Sequence, residues 1–196
     1  VPGANSALSP ADVRAASSAI EGAQLVICQL EIPLETTLEA FRVAKAVGVK
    51  TILNPAPAAA LPDELLALTD ILVPNEVEAA MLSGMPASSA AQAEAAAGAL
   101  RGRGAGTVII TLGDRGALIL TEAGAEHVAA ERVQAVDSTG AGDAFVGTLG
   151  YALADGRPLR DAVRLACAIA TRSVLKTGTQ TSFPYRAEVE ELLVSG

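Results

Sequence analysis

Four short apolar runs, "QLVICQL", "VKTILN", "DILVP" and "GTVIITLG", are separated by stretches with helical spacing, and no other feature constrains the fold as much. A strand buried on both faces reads as a continuous apolar run, and strands of that kind belong to parallel sheets covered by helices. The intervening stretches carry the matching helix signals. "SPADVRAASSAI" opens with Ser9, Pro10 and Asp12, a good helix start. A helix is predicted over Leu34 to Val47 and ended by Gly48, and a short one follows the Pro-rich loop "PAPAAALP". "NEVEAAMLSG" and "SAAQAEAAAGALRGRG" read as two more. After "GTVIITLG", the turn "GDRG" leads into "ALILTEAG" as a hairpin partner, and "RVQAV" reads as a further strand. "GAGDAFVGTLGYALADG", "LRDAVRLACAIATRSVLKTG" and "RAEVEELLV" close the chain as helices. The expectation is one three-layer α/β domain with a mostly parallel sheet.

Composition removes several classes of function. A chain of 196 residues that is 51% hydrophobic can build a sizeable core, and none of its apolar runs is long enough to span a bilayer. A net charge of −8 with 3% aromatics argues against a nucleic-acid surface, which needs a basic face and stacking rings. Cys28 and Cys167 sit far apart in apolar surroundings and read as small buried thiols, in keeping with a reducing cytoplasm. No basic, apolar leader marks an export signal, and the start at "VPGAN" without Met leads us to expect that the beginning of a longer protein is missing.

In parallel α/β sheets, ligands gather where strands end and loops enter helices. Polar or glycine-bearing residues follow each predicted strand: Glu31, Asn54, Asn75 with Glu78, Gly113 to Gly116, and Asp137 with Gly140 to Asp143. One crevice is expected to gather them. The stretch "DSTGAGDAF" is the most informative, because two glycines and an alanine stand where a helix begins. Gly140, Ala141 and Gly142 lack bulky side chains, so their N–H groups can face an anion at the positive end of a helix. Asp143 puts a carboxylate beside that anion site, which suits deprotonation of an alcohol attacking a phosphoryl group. An acid in a first turn also serves simply to favour the helix dipole, worth about 0.3–1 kcal/mol. Spacing rejects two rival phosphate motifs. A dinucleotide fingerprint from Gly140 would meet Phe145 where Gly or Ala is needed, and no Gly-Lys-Ser/Thr triplet exists for a Walker loop. The single histidine, His127, lies in a polar hairpin-like stretch that fits a surface position.

"NPAPAAALPDELLALTDILVPNEVEA", "VIITLGDRGAL" and "VQAVDSTGAGDAFVGTL" resemble the C-terminal portion of the PfkB-type carbohydrate kinases, and the likeness runs from "VPGAN" to "TSFP". The run "NPAP" with "LPDELL" resembles the ribose-phosphorylating members most. The resemblance implies a three-layer α/β/α ribokinase-like fold truncated at its N-terminus, with residues 1–196 as the nucleotide-binding C-terminal portion of the kinase domain. It implies ATP-dependent phosphorylation of D-ribose at its 5-hydroxyl, with Mg2+ and K+. By the same resemblance Asp143 is the base and touches the sugar, while Gly140, Ala141 and Gly142 form the anion hole. Glu31 contacts the sugar, and Asn75 and Glu78 serve the nucleotide phosphates and magnesium. Thr111, Leu112, Gly113, Asp114, Arg115 and Gly116 form the ATP-binding turn, with Cys167 near the base. Asp137, Thr139, Ser173, Lys176, Gly178 and Ser182 match a monovalent-cation loop pair, largely through carbonyl oxygens. The family's sugar-cradling glycine motif, a sugar-binding aspartate and a small β-lid precede the matched portion. The expectation is therefore a fragment, inactive alone, of a parent that dimerises through the lid.

Structural readings stand beside these. Asn75 and Glu78 have the spacing of a capping box, and Gly113 and Gly116 that of a hairpin turn. Ser173 and Cys167 fall on the apolar face of a helix. Two other functions remain open: another sugar or nucleoside kinase of the family, and a nucleotide-binding module that never catalyses. The second has no use for a base at Asp143.

Overall fold

Ser9, Asn75 and Ser89 start helices in the same way. Each side chain accepts a hydrogen bond from the N–H three residues on, and Asp12, Glu78 or Gln92 there reaches back to the N-cap N–H. Such caps are worth about 1 kcal/mol each. The computed structural model describes residues 3–194, so Val1 and Pro2, where the family likeness begins, lie outside the described residues. The described residues form two compact units, one up to Ile110 with Leu120–Ala125, the other Thr111–Ile119 with the residues from Glu126 onward.

In the first unit the strands β1 (Leu25–Cys28), β2 (Lys50–Leu53), β3 (Ile71–Leu72) and β4 (Thr107–Thr111) pair side by side in chain order, all parallel. Parallel neighbours need a crossover, and helices supply each one. These are α3 (Leu34–Ala46), α4 (Asp63–Ala67), and α5 (Glu76–Ser83) with α6 (Ala90–Gly102). α3 buries Thr36, Thr37, Ala40, Phe41 and Ala44, one face of a helix. Phe41, Ile52, Leu53, Leu65, Leu66, Leu72 and Leu100 are almost wholly shielded and form the core. β1 stands at the end of the strand order, and its residues are only half-buried, with Ile27 37% exposed. The stretch expected as one opening helix is two, α1 (Pro10–Ala15) and α2 (Ser17–Glu21). The break is at Ala16, whose N–H bonds both Asp12 O and Val13 O at 3.0 Å, tightening the turn.

Two further strands follow, and the residues of each are divided between the units. β5 (Ala117–Thr121) follows β4 through a turn too short for anything but an antiparallel return, and β6 (Gly124–Val128) follows β5 after two residues. β6 is a correction to the sequence reading, which placed the next strand at "RVQAV". Residues 129–137 form no strand. Val136 and Asp137 donate their N–H groups to Val174 O, at 2.8 and 3.2 Å, so this backbone is satisfied by the end of a helix rather than by a neighbouring strand. Asp137 therefore sits in a loop and not at a strand end. That helix is α8 (Leu159–Ser173), which packs along α7 (Ala141–Ala154); α9 (Glu190–Val194) comes last.

Gly116 fixes the turn between β4 and β5. Its φ is +92°, its carbonyl accepts from Leu112 N–H at 2.8 Å, and a Cβ there would collide with Val128 O. Gly116→Ala should therefore cost about 1–3 kcal/mol, the usual range for forcing a side chain into such backbone. A lower denaturant midpoint at unchanged slope is the expected signature.

Candidate functional site

The two glycines at the start of α7 have different physical reasons. Gly140 is the N-cap, with φ +82°, and a Cβ on it would stand 3.2 Å from the Phe183 ring and 3.4 Å from Thr179 Cα. Backbone conformation and close packing both demand glycine there. Gly142 is the opposite case: a Cβ on it would meet nothing within 4 Å. Gly142 lines, with Ala141, a cavity of about 240 Å³. No side chain caps α7. Ala141 N–H is turned back onto Ser138 O at 3.2 Å, which corrects the expectation that all three small residues offer free donors. The remaining first-turn N–H groups have no acceptor within the helix and carry its positive end. Asp143 is exposed in the same first turn.

The cavity gathers much of the expected nucleotide turn. Thr111, Gly113, Asp114 and Gly116 line it, and so does Cys167 from α8. Burial pushes the Cys167 thiol up to about 11, so it is neutral near pH 7 and serves as an apolar wall rather than a nucleophile. Leu112 and Arg115 are not among the lining residues. Leu112 is buried, and the Arg115 carbonyl accepts a hydrogen bond from His127 Nε2 at 2.8 Å. His127 is exposed on β6, the surface position expected of it. Two parts of the wall escaped the sequence reading. Ala170, Thr171 and Val174 continue from Cys167 at helical spacing, a signal present in "CAIATRSV". Ala130, Glu131, Val133 and Ala135 also line it, the last two from the stretch mistaken for a strand.

Asp137 ties two loops together. Its Oδ1 accepts from Thr139 N–H at 2.9 Å and from Thr139 Oγ1 at 2.7 Å, and its Oδ2 accepts from Gly178 N–H at 3.0 Å. The Thr139 hydroxyl, then the Gly178 and Thr139 amides, hold its carboxyl down at about 2, against an ordinary 3.8. The tie is thus complete at neutral pH and lost only as the pH falls through about 2. The other residues of the expected cation loops have partners of their own. Ser173 Oγ donates to Ala170 O, Ser182 Oγ to Thr179 O, and Lys176 Nζ to Glu188 Oε1. Their side chains are thereby committed locally, and carbonyl oxygens are what these loops retain to offer.

Glu31, Asn54, Asn75 and Glu78 belong to the first unit and are not among the lining residues of the cavity. Glu31 is exposed in the loop after β1. Asn54 is buried, its amide donating to Val73 O at 2.9 Å. Asn75 and Glu78 form the capping box of α5: Asn75 N–H donates to Glu78 Oε2 at 2.8 Å, and Glu78 N–H to Asn75 Oδ1 at 2.9 Å. Burial pushes the Glu78 carboxyl up, and the Asn75 amide only partly offsets this.

Over residues 1–186 the sequence matches the pfkB family carbohydrate kinases, and the chain belongs to that family. It is 42% identical over 191 residues to a ribokinase of Staphylococcus aureus, covering 97% of this chain and 63% of that protein. It is 43% identical over 194 residues to the ribokinase of Mus musculus, with 96% and 60% covered. Among solved structures, Arabidopsis thaliana ribokinase complexed with ribose and ATP superposes with a TM-score of 0.87 at 30% identity, covering 96% of this chain and 60% of that one. The α/β fold is therefore ribokinase-like, and the chain spans about 60% of the length of these relatives. No helix among the described residues is long and apolar enough to cross a membrane.

Proposed function

We propose that the chain is the C-terminal, nucleotide-binding part of a ribokinase, which transfers the γ-phosphoryl group of ATP to the 5-hydroxyl of D-ribose. The observation that carries this reading is the uncapped start of α7, open to the cavity at Gly142 with Asp143 beside it. Ribokinases at 42% and 43% identity support the choice of sugar. Asp143 takes the proton of the attacking hydroxyl, and the first-turn amides of α7 bind the transferring phosphoryl oxygens. The apolar stretch of the cavity, from Val133 and Ala135 across to Ala170 and Val174, receives the base of the nucleotide. Phosphoryl transfer draws most of its acceleration from positioning and charge stabilisation, which is what such a cradle supplies.

Within this reading the first unit keeps the roles of its own residues, Glu31 toward the sugar and Asn75 with Glu78 toward the nucleotide phosphates and Mg2+. A Mg2+ ion carried by a nucleotide asks the protein for only one or two carboxylates, since phosphates and water fill its other positions. Glu78 fits that limited demand. For K+, the fitting donors are the Asp137 carboxylate, charged at neutral pH, and carbonyl oxygens of the loops it joins, at Thr139, Ser173, Lys176, Gly178 and Ser182. Bound there, the cation would add positive charge beside the anion hole. In this reading the enzyme works in the cytoplasm, and an upstream lid joins two copies.

A phosphotransfer assay tests the proposal. A longer protein that contains these residues should phosphorylate ribose with ATP, faster in potassium than in sodium or choline salts at equal ionic strength. The 196-residue chain alone should do so negligibly, because the residues that orient the sugar lie upstream in this reading. No ribose turnover by the longer protein would sink the function, and equal rates in the three salts would remove the cation.

A further inference from the structure

Phe183 lies outside every role assigned so far, and its ring is what a side chain on Gly140 would meet first. Its Cε1 and Cζ stand 3.2 and 3.4 Å from where a Cβ on Gly140 would be, with Thr179 Cα at 3.4 Å on the same spot. Gly140 is the N-cap whose carbonyl accepts the Ala144 N–H at 2.9 Å, the hydrogen bond that closes the first turn of α7. The segment bearing Phe183 is itself anchored. Gly178 N–H is held by Asp137, and Ser182 is fastened to Thr179 O through both its N–H at 3.0 Å and its hydroxyl at 2.7 Å. The ring is half-buried, so it is neither a core residue nor a free surface group. Hydrogen bonds hold the turn on either side, Thr139 to Asp137 and Ala141 N–H to Ser138 O, but at Gly140 itself, with φ +82°, no side chain caps the helix. A rigid aromatic ring standing beside it supplies what the missing cap does not, at the cost of few rotatable bonds.

We infer that Phe183 is a positioning residue that holds the Gly140 turn, and through it aims the first-turn amides of α7 at an anion in the cavity. The inference rests on the proposed nucleotide site for its ligand, and on the contact alone for its structural half. A small or mobile side chain at position 183 leaves the turn free to swing, and the amides then lose their common direction. Misalignment weakens a hydrogen bond to a charged acceptor steeply, so the phosphates suffer and the base does not.

The 196-residue chain with Phe183→Ala and Phe183→Leu decides this, with ATP and adenosine as probes in calorimetry and amide exchange read at Ala144. Phe183→Ala should bind ATP about tenfold more weakly, the worth of one hydrogen bond to a charged group. Its adenosine affinity should be unchanged and its Ala144 amide should exchange faster. Phe183→Leu, which keeps an apolar branch against Gly140, should restore most of both. An unchanged Ala144 exchange rate overturns the inference, and so does an ATP affinity that is unchanged or falls in step with that for adenosine. If the unsubstituted chain binds neither probe, the proposed nucleotide site has failed, and the Ala144 exchange rate alone judges the positioning role.

Discussion

Replacing Asp143 with Asn should lower the kcat of ribose phosphorylation by about 10²–10⁴-fold, the range that loss of a general base costs. The substitution keeps the size and shape of the side chain and removes its negative charge, and with it the capacity to take a proton. Affinity for ATP should change little, because the proposed cradle consists of backbone amides of α7 and not of this carboxylate. Stability should change little too: Asp143 is exposed, and an acid in a helix first turn is worth about 0.3–1 kcal/mol. The rival account, in which Asp143 merely complements the helix dipole, inverts the pattern, with a small fall in Tm and an intact kcat. Measuring kcat, ATP affinity and Tm on one Asn variant separates the two. A stable variant with most of its turnover would end the catalytic assignment.

Gly142→Ala should separate stability from function in the other direction. The site has no neighbour within 4 Å of a new methyl group, and Ala favours a helix over Gly by up to about 1 kcal/mol. The variant should therefore melt at the same temperature or higher. In the proposed reading the methyl group would nevertheless occupy the space where the phosphoryl group meets the amides. We expect kcat/KM for ATP to fall on the order of 10²-fold, the lower end of what losing one anion-hole donor costs. An Ala variant as active as the parent would show that the open space at Gly142 is not where the phosphoryl group sits.

The reach of the sequence differed between the two units for physical reasons. In the first, burial on both faces leaves continuous apolar runs, and three of the helices carry a reciprocal cap, so β2, β3 and β4 and the helices between them were legible from residue order alone. Toward the second, β6 is divided between the units and almost wholly exposed, as "GAEHV" shows by having no apolar run to betray it. The valines of "RVQAV" mimicked a strand because one faces the cavity and the other is tied by its backbone to α8, neither of which alternation can distinguish. For the candidate site, "GAGD" was legible because glycine at a helix start is costly and needs a reason. The reason at Gly140, an aromatic ring more than forty residues away in the chain, was not. Nor was the loss of the Ala141 donor to Ser138, which depends on the turn geometry and not on residue type.

The half-buried strand at the end of the sheet has a practical consequence. Its outer N–H and C=O groups have no strand beside them among the described residues, and its side chains, Leu25, Val26, Ile27 and Cys28, are apolar. Such a seam is a template for the growth of aggregates by strand addition, and natural proteins guard it with lysine, proline or a covering segment. Here none of the four residues is a gatekeeper. Concentrated preparations of the isolated chain are expected to associate through this seam, which light scattering against concentration would read. Ile27→Lys, at a position 37% exposed and outside the cavity lining, should lower that scattering.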